Sequence, residues 1–160
     1  MSKKKKKKEM LPLDLMFKPK ALKVHGVNEM LLRLAQFAVV RQDFVITHVK
    51  PMRLSKAQAM KFYVEHEGKD FYESLVNFIS SRDVVAIRIE YDSKKNPDFI
   101  KDFRANVIGA TDPNKALKGT MRALYGFKKD FAEGRPHNAI HCADSPESAA
   151  YELSILFPEL

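Results

Sequence analysis

Leu11, Leu13, Leu15 and Phe17 alternate with Pro12, Asp14 and Met16. That period of two predicts a strand with one buried face, ended by Lys18-Pro19. Between Asn28 and Phe37, Met30, Leu31, Leu34, Ala35 and Phe37 instead fall on one face of a helix. Phe44 to Val49 is a β-rich run. Ser55, followed three residues later by Gln58, forms a capping-box pattern ahead of a polar helix over Lys56 to Glu65, with Ala59, Phe62 and Tyr63 on a common side. A second short helix over Phe71 to Ile79 carries Phe71, Leu75, Phe78 and Ile79 at helical spacing. Val84 to Tyr91, β-branched at Val84, Val85, Ile87 and Ile89, predicts a strand. Asp92 to Asp98 is turn-like, Phe99 to Ile108 helical, Gly109 to Gly119 a connection, and Gly126 to His137 a polar loop.

The final segment is the most sharply marked. A short apolar run, Ala139 to Cys142, carries His141 and leads straight into a helix start. There Ser145 supplies a capping hydroxyl, and Pro146 the fixed φ favoured at the first helical position. Ala149, Leu153, Leu156 and Phe157 repeat at i, i+4, i+7 and i+8 as a buried stripe, with Glu152 on its edge. A carboxylate there needs a partner, because burial without one is costly, and an imidazole nearby would serve both groups. The order strand, helix, strand, helices, strand, helix, strand, helix predicts an α+β fold. It is a ferredoxin-like βαββαβ core with extra helices, a four-stranded antiparallel sheet covered by helices on one face.

Composition changes this picture little. The chain of 160 residues is 45% hydrophobic and 30% charged, the profile of a single globular domain without a membrane-spanning run. Six of its eight net positive charges are the lysines at positions 3–8, so residues 1–10 are expected to be a disordered basic tail ahead of one domain over 11–160. Such a tail would make weak, salt-sensitive contact with a nucleic acid or an anionic surface. The patch after it is broken by Glu9 and Asp14, so no secretory leader is expected. The single cysteine, Cys142, excludes an internal disulfide and suits a reducing, cytoplasmic setting.

Taken together, the motifs resemble the nucleoside diphosphate kinases. The block N-A-I-H-C-A-D-S-P-E-S-A-A-Y-E-L is similar to that family's signature around its phosphorylated histidine and helix glutamate. In the family's order, Lys18-Pro19 looks like the first-strand lysine and F-Y-V-E-H-E-G-K-D-F-Y like the nucleotide-cleft segment. I-G-A-T-D-P-N-K-A and K-G-T-M-R-A look like the two halves of the loop over the nucleotide.

The resemblance implies a ping-pong transfer of the γ-phosphate of a nucleoside triphosphate to a nucleoside diphosphate through phosphohistidine at His141. Glu152 would orient the ring, and Lys18 and Arg122 would neutralise the phosphates. Thr111, Tyr63 and Asn138 would complete the phosphate and sugar side, while Phe71 would stack on the base beside Leu75. Mg²⁺ would ride on the nucleotide phosphates, and the protein would form a homo-oligomer. Departures cluster at the site. His141-Cys142-Ala143-Asp144 stands where histidine-glycine-serine-aspartate is usual, and Ala105 falls where a phosphate arginine is expected, with Arg104 one position away as its substitute. These departures motivate a second reading, a catalytically weak, kinase-like nucleotide-binding protein. Cys142, next to the nucleophile, is expected to inhibit if its thiol is modified.

Overall fold

The computed structural model describes residues 8–132 and 135–160. Of the lysine run only Lys8 lies within them, and Met10, assigned to the tail by sequence, already belongs to a strand. In chain order the elements are β1 (Met10–Phe17), α1 (Pro19–His25), α2 (Val27–Arg41), β2 (Phe44–Met52), α3 (Lys56–Phe62) and α4 (Tyr72–Ser80). There follow β3 (Val84–Asp92), α5 (Phe99–Phe103) continued by a π-helical turn over Arg104–Ile108, α6 (Met121–Tyr125), β4 (Phe127–Ala132), β5 (Arg135–His137), β6 (Ile140–Cys142) and α7 (Pro146–Leu156). The main sheet has the order β2-β3-β1-β6, every pair antiparallel. This is the expected four-stranded βαββαβ sheet.

Strand position follows from side-chain pattern. Leu13 to Phe17 of β1 and Val84 to Ile87 of β3 are continuously buried, as strands covered on both faces must be, and these two strands are central. β2 exposes Val45 and Val49 and tolerates Pro51, as an edge strand does. Contrary to the expectation of one covered face, helices pack on both. Leu13, Leu15 and Phe17 join Met30 and Leu34 of α2, Phe99 and Phe103 of α5, and Met121 of α6 in one core. Met16 and Ala86, turned the other way, join Ala59 and Phe62 of α3, Val76 and Ile79 of α4, and Leu153 and Leu156 of α7 in a second. The helices α3 and α4, extra to the basic unit, together with α7 supply that second layer.

Residues 126–137, expected as a loop, contain the β4–β5 hairpin. Two further helices, α1 and α6, also lie where none was expected. Both are one to two turns long and neither has a side-chain cap. Tertiary contacts hold them instead, among them the Tyr125 hydroxyl donating to Glu29 at 2.9 Å.

Candidate active site

Alternation along β6 decides where His141 points. Ile140 and Cys142 enter the first core, so His141, paired with Met16 of β1, faces the second layer. There α7 meets it. Ser145 accepts a hydrogen bond from the Ser148 N–H at 3.0 Å and Pro146 opens the helix, so Glu152 is delivered two turns in, pointing back at the strand. His141 Nε2 lies 3.0 Å from Glu152 Oε2, and Glu152 is only 6% exposed. Burial alone would push the Glu152 carboxyl up, but the hydrogen bond and charge of His141 outweigh it and leave it below the usual range. The Phe62 ring packs edge-on against the imidazole at 4.8 Å, fixing its plane.

A cleft of about 510 Å³ opens over this pair. All ten residues singled out by sequence line it: Lys18, Tyr63, Phe71, Leu75, Arg104, Thr111, Arg122, Asn138, His141 and Glu152. Lys18 Nζ donates to Asn138 Oδ1 at 2.7 Å, and the Asn138 amide donates to the Thr111 carbonyl at 3.1 Å, tying strand, loop and β6 approach together. Burial, reinforced by the neighbouring Arg122 charge, pushes the Lys18 ammonium down to about 7. Arg122 is 4% exposed; its Nε and Nη2 donate to the Ile140 carbonyl at 3.0 and 2.8 Å and its Nη1 to Gly109 O at 3.1 Å. Arg104 donates to the carbonyls of Cys142 and Ala143. A guanidinium has five donors, so each keeps N–H groups for a further acceptor. The Tyr63 hydroxyl is buried with no partner among the described residues, and burial raises its pKa. Phe71 and Leu75, spaced as a core pair, are half-buried on the cleft wall, with the His66 ring 5.4 Å from that of Phe71.

A larger hollow of about 710 Å³ lies beyond Arg104 and Arg122, but it has no histidine. Of the two, the smaller cleft is the one that joins a histidine to these cations. Cys142 is buried at the cleft, and burial pushes its thiol up to about 12, which argues against the expected sensitivity to thiol reagents.

The family model for nucleoside diphosphate kinase matches residues 15–160. The chain belongs to the nucleoside diphosphate kinase family. It is 39% identical over 140 residues to nucleoside diphosphate kinase 1 of Protochlamydia amoebophila, covering 88% of this chain and 87% of that one. Against the nucleoside diphosphate kinase of Pasteurella multocida it is 37% identical over 144 residues, 90% and 91% of the two chains. Its fold is similar to that of the Aquifex aeolicus nucleoside diphosphate kinase, with a TM-score of 0.73 at 32% identity over 93% of this chain and 96% of that one. The Halobacterium salinarum nucleoside diphosphate kinase, solved in complex with CDP, matches with a TM-score of 0.69 at 26% identity over 94% and 88%. The protein is therefore a nucleoside diphosphate kinase, a phosphotransferase moving a terminal phosphate from a nucleoside triphosphate to a nucleoside diphosphate. The weak-binder reading is not favoured.

One residue of this kinase's site escaped the sequence reading. Asp14 of β1 is fully buried on the same face as His141, with Oδ2 4.0 Å from His141 Nε2. Period two places Asp14 and Lys18 on one strand face, but the strand alone does not show what lies across from it. Asp14, His141 and Glu152 have ligating atoms within 4.8 Å of one another, a metal-like spacing. A hard, octahedral Mg²⁺ does not fit it, because the histidine nitrogen there is held by Glu152.

Proposed function

We propose that His141 carries the phosphoryl group between donor and acceptor nucleotides. The observation behind this reading is the 3.0 Å contact between His141 Nε2 and Glu152 at the floor of a cation-lined cleft. With Nε2–H donating to Glu152, the lone pair of the neutral ring resides on Nδ1, which becomes the nucleophile. Nδ1 attacks the γ-phosphorus as the bond to the β-phosphate oxygen breaks, and the diphosphate leaves. The ring gains positive charge in that step, and Glu152 stabilises it. The second half-reaction reverses these events on a new diphosphate.

Lys18 and the remaining donors of Arg104 and Arg122 face the phosphates, and the Tyr63 hydroxyl, lacking any protein partner among the described residues, donates to one of them. Thr111 and Asn138 complete the phosphate and sugar side, and Phe71 with Leu75 forms an apolar slot for the base. Such a slot accepts every base, since each has a π face. Mg²⁺ enters as part of the nucleotide substrate. Homo-oligomer formation is supported by Val39, Val40 and Val45, exposed by 73%, 82% and 53% around the α2 end and the β2 edge. A cytoplasmic setting, where free nucleotides are available as substrates, belongs to the same reading. No helix of the described residues is long and apolar enough to cross a membrane. The transfer so described does not call on the lysine run at positions 3–8, of which only Lys8 lies within the described residues.

The test is to mix the protein with γ-labelled ATP and Mg²⁺, look for acid-labile label on His141, and chase with GDP or UDP. The label should appear and then leave as GTP or UTP. Bound ATP without label on His141 overturns the reading.

A further inference from the structure

Beneath the His141–Glu152 pair lies a carboxyl group that the transfer chemistry does not use. Asp14 has no exposed surface, and no donor of the described residues reaches either of its side-chain oxygens. An ionised carboxylate so placed is costly, since it is shut off from bulk solvent and no donor of the described residues compensates it. The charged groups around it come from three elements. From β3, Arg88 is the cross-strand neighbour of Asp14, but its guanidinium is spent on the Thr47 hydroxyl at 3.1 Å and on Glu90. From β6, His141 Nε2 is 4.0 Å away and already bonded to Glu152 at 3.0 Å. From α7 comes Glu152 itself, with ligating atoms of all three groups within 4.8 Å. With the His141 nitrogen already bonded to Glu152, the neighbour left for Asp14 to hydrogen-bond is another carboxyl group. Two carboxyl groups can share a hydrogen bond only if one of them carries a proton.

We propose that Asp14 is a neutral carboxylic acid that donates its hydrogen bond to Glu152, holding Glu152 in the ionised form and in the orientation that His141 requires. The division of roles follows from the surroundings. Glu152 has His141 at 3.0 Å to stabilise its charge, whereas Asp14, shut off from solvent, has His141 only at 4.0 Å and a second carboxylate beside it. Burial first, then Glu152, raises the Asp14 pKa well above the ordinary value, while that of Glu152 is lowered. The turn after His141 offers no substitute donor, because Ala143 stands there and is buried without a hydroxyl. Asp14 reaches the site from the other side of Glu152, out of a strand rather than the turn. It touches no nucleotide; it is a positioning residue acting through Glu152, and this role rests on the catalytic reading of the His141–Glu152 pair.

The first measurement is independent of turnover. In protein labelled with ¹³C at the aspartate carboxyl carbon, the Asp14 resonance is identified by its absence from Asp14→Asn. It is expected to keep its protonated position at pH 7, where ordinary aspartates, with values about 3.9, are fully ionised. An Asp14 resonance that ionises with the other aspartates overturns the proposal. The second measurement is the rate of His141 phosphorylation in two variants. Asp14→Leu, of similar size without a donor, should lose at least about tenfold in that rate with nucleotide affinity unchanged. Asp14→Asn, which donates but cannot ionise, should restore most of the loss. A full rate in Asp14→Leu, or an equal loss in both variants, refutes the positioning role. If Asp14→Leu does not fold, the resonance and Asp14→Asn decide the matter. A protonated Asp14 in a protein that never labels His141 would sink the phosphotransfer role of His141 while leaving the shared proton in place.

Discussion

Replacing Glu152 by glutamine keeps the shape of the side chain and one acceptor oxygen but removes its charge. In the resting site the consequence is modest. A hydrogen bond to a charged group is worth about 1.5–3 kcal/mol and a neutral one about 1, so the ring loses part of its anchor. The larger effect arises during transfer, when the imidazole becomes cationic 3.0 Å from the carboxylate oxygen. Two unit charges at about 4 Å attract by roughly 4 kcal/mol at an effective dielectric constant near 20, suited to a pair that is largely shielded from water. The loss specific to the transition state is therefore about 2–4 kcal/mol, or roughly 30- to 1000-fold in rate. Rapid-quench measurement of His141 phosphorylation by γ-labelled ATP in a single turnover reads this directly. Nucleotide affinity should stay within about twofold, because Glu152 acts on the ring and not on the phosphates. A fall of less than about threefold in the phosphorylation rate, or an effect confined to affinity, would refute the assignment of Glu152 as the partner of a developing cation.

Lys18 predicts a pH dependence of binding. In the empty cleft its ammonium loses its proton at about 7, and bound phosphates hold that proton on, so ADP binding takes up a proton and weakens as pH rises above about 7. The decline should approach tenfold per pH unit and flatten in Lys18→Met, as followed by calorimetry in buffers of different ionisation enthalpy. Gly109 has φ +96, and a Cβ there would meet Thr120 Oγ1 at 2.5 Å and Ala116 Cβ at 2.9 Å. Gly109→Ala should destabilise the protein by about 1–3 kcal/mol in chemical denaturation and loosen the loop that Arg122 holds through the Gly109 carbonyl. Cys142 should resist iodoacetamide in the native state and react fully only in denaturant; rapid native labelling with loss of activity would reinstate its regulatory role.

Legibility in the sequence tracked how local the determinants were. Ser145, Pro146 and the Ala149–Leu153–Leu156 stripe specify α7 within a dozen residues, and the β-branched run of β3 specifies a central strand almost as directly. The β4–β5 hairpin was not legible because Lys128, Lys129 and Asp130 break any apolar alternation. Helix α6 has no capping side chain, and it exists because Met121 and Tyr125 are buried against the sheet and α2. At the site, ordered motifs pointed to residues that the chain does bring to one cleft. Asp14 was invisible by contrast, since its meaning depends on a helix that begins more than a hundred residues later.

The arginines of the cleft have a consequence for how copies of the chain meet. β6 is an outer strand, and its outward carbonyls, those of Ile140 and Cys142, are taken by Arg122 and Arg104. Two side chains thus take there the acceptors that a fifth strand would use elsewhere, and those carbonyls are no longer free for an incoming backbone. The opposite margin, β2, has no strand of the described residues beside it. A sheet with two open margins can add copies without end and grow into a fibre; one with a single open margin can accept one copy, related by a twofold axis, and must then stop. The arginines that line the cleft therefore also disfavour sheet extension through β6 and leave β2 as the margin open to a twofold pairing.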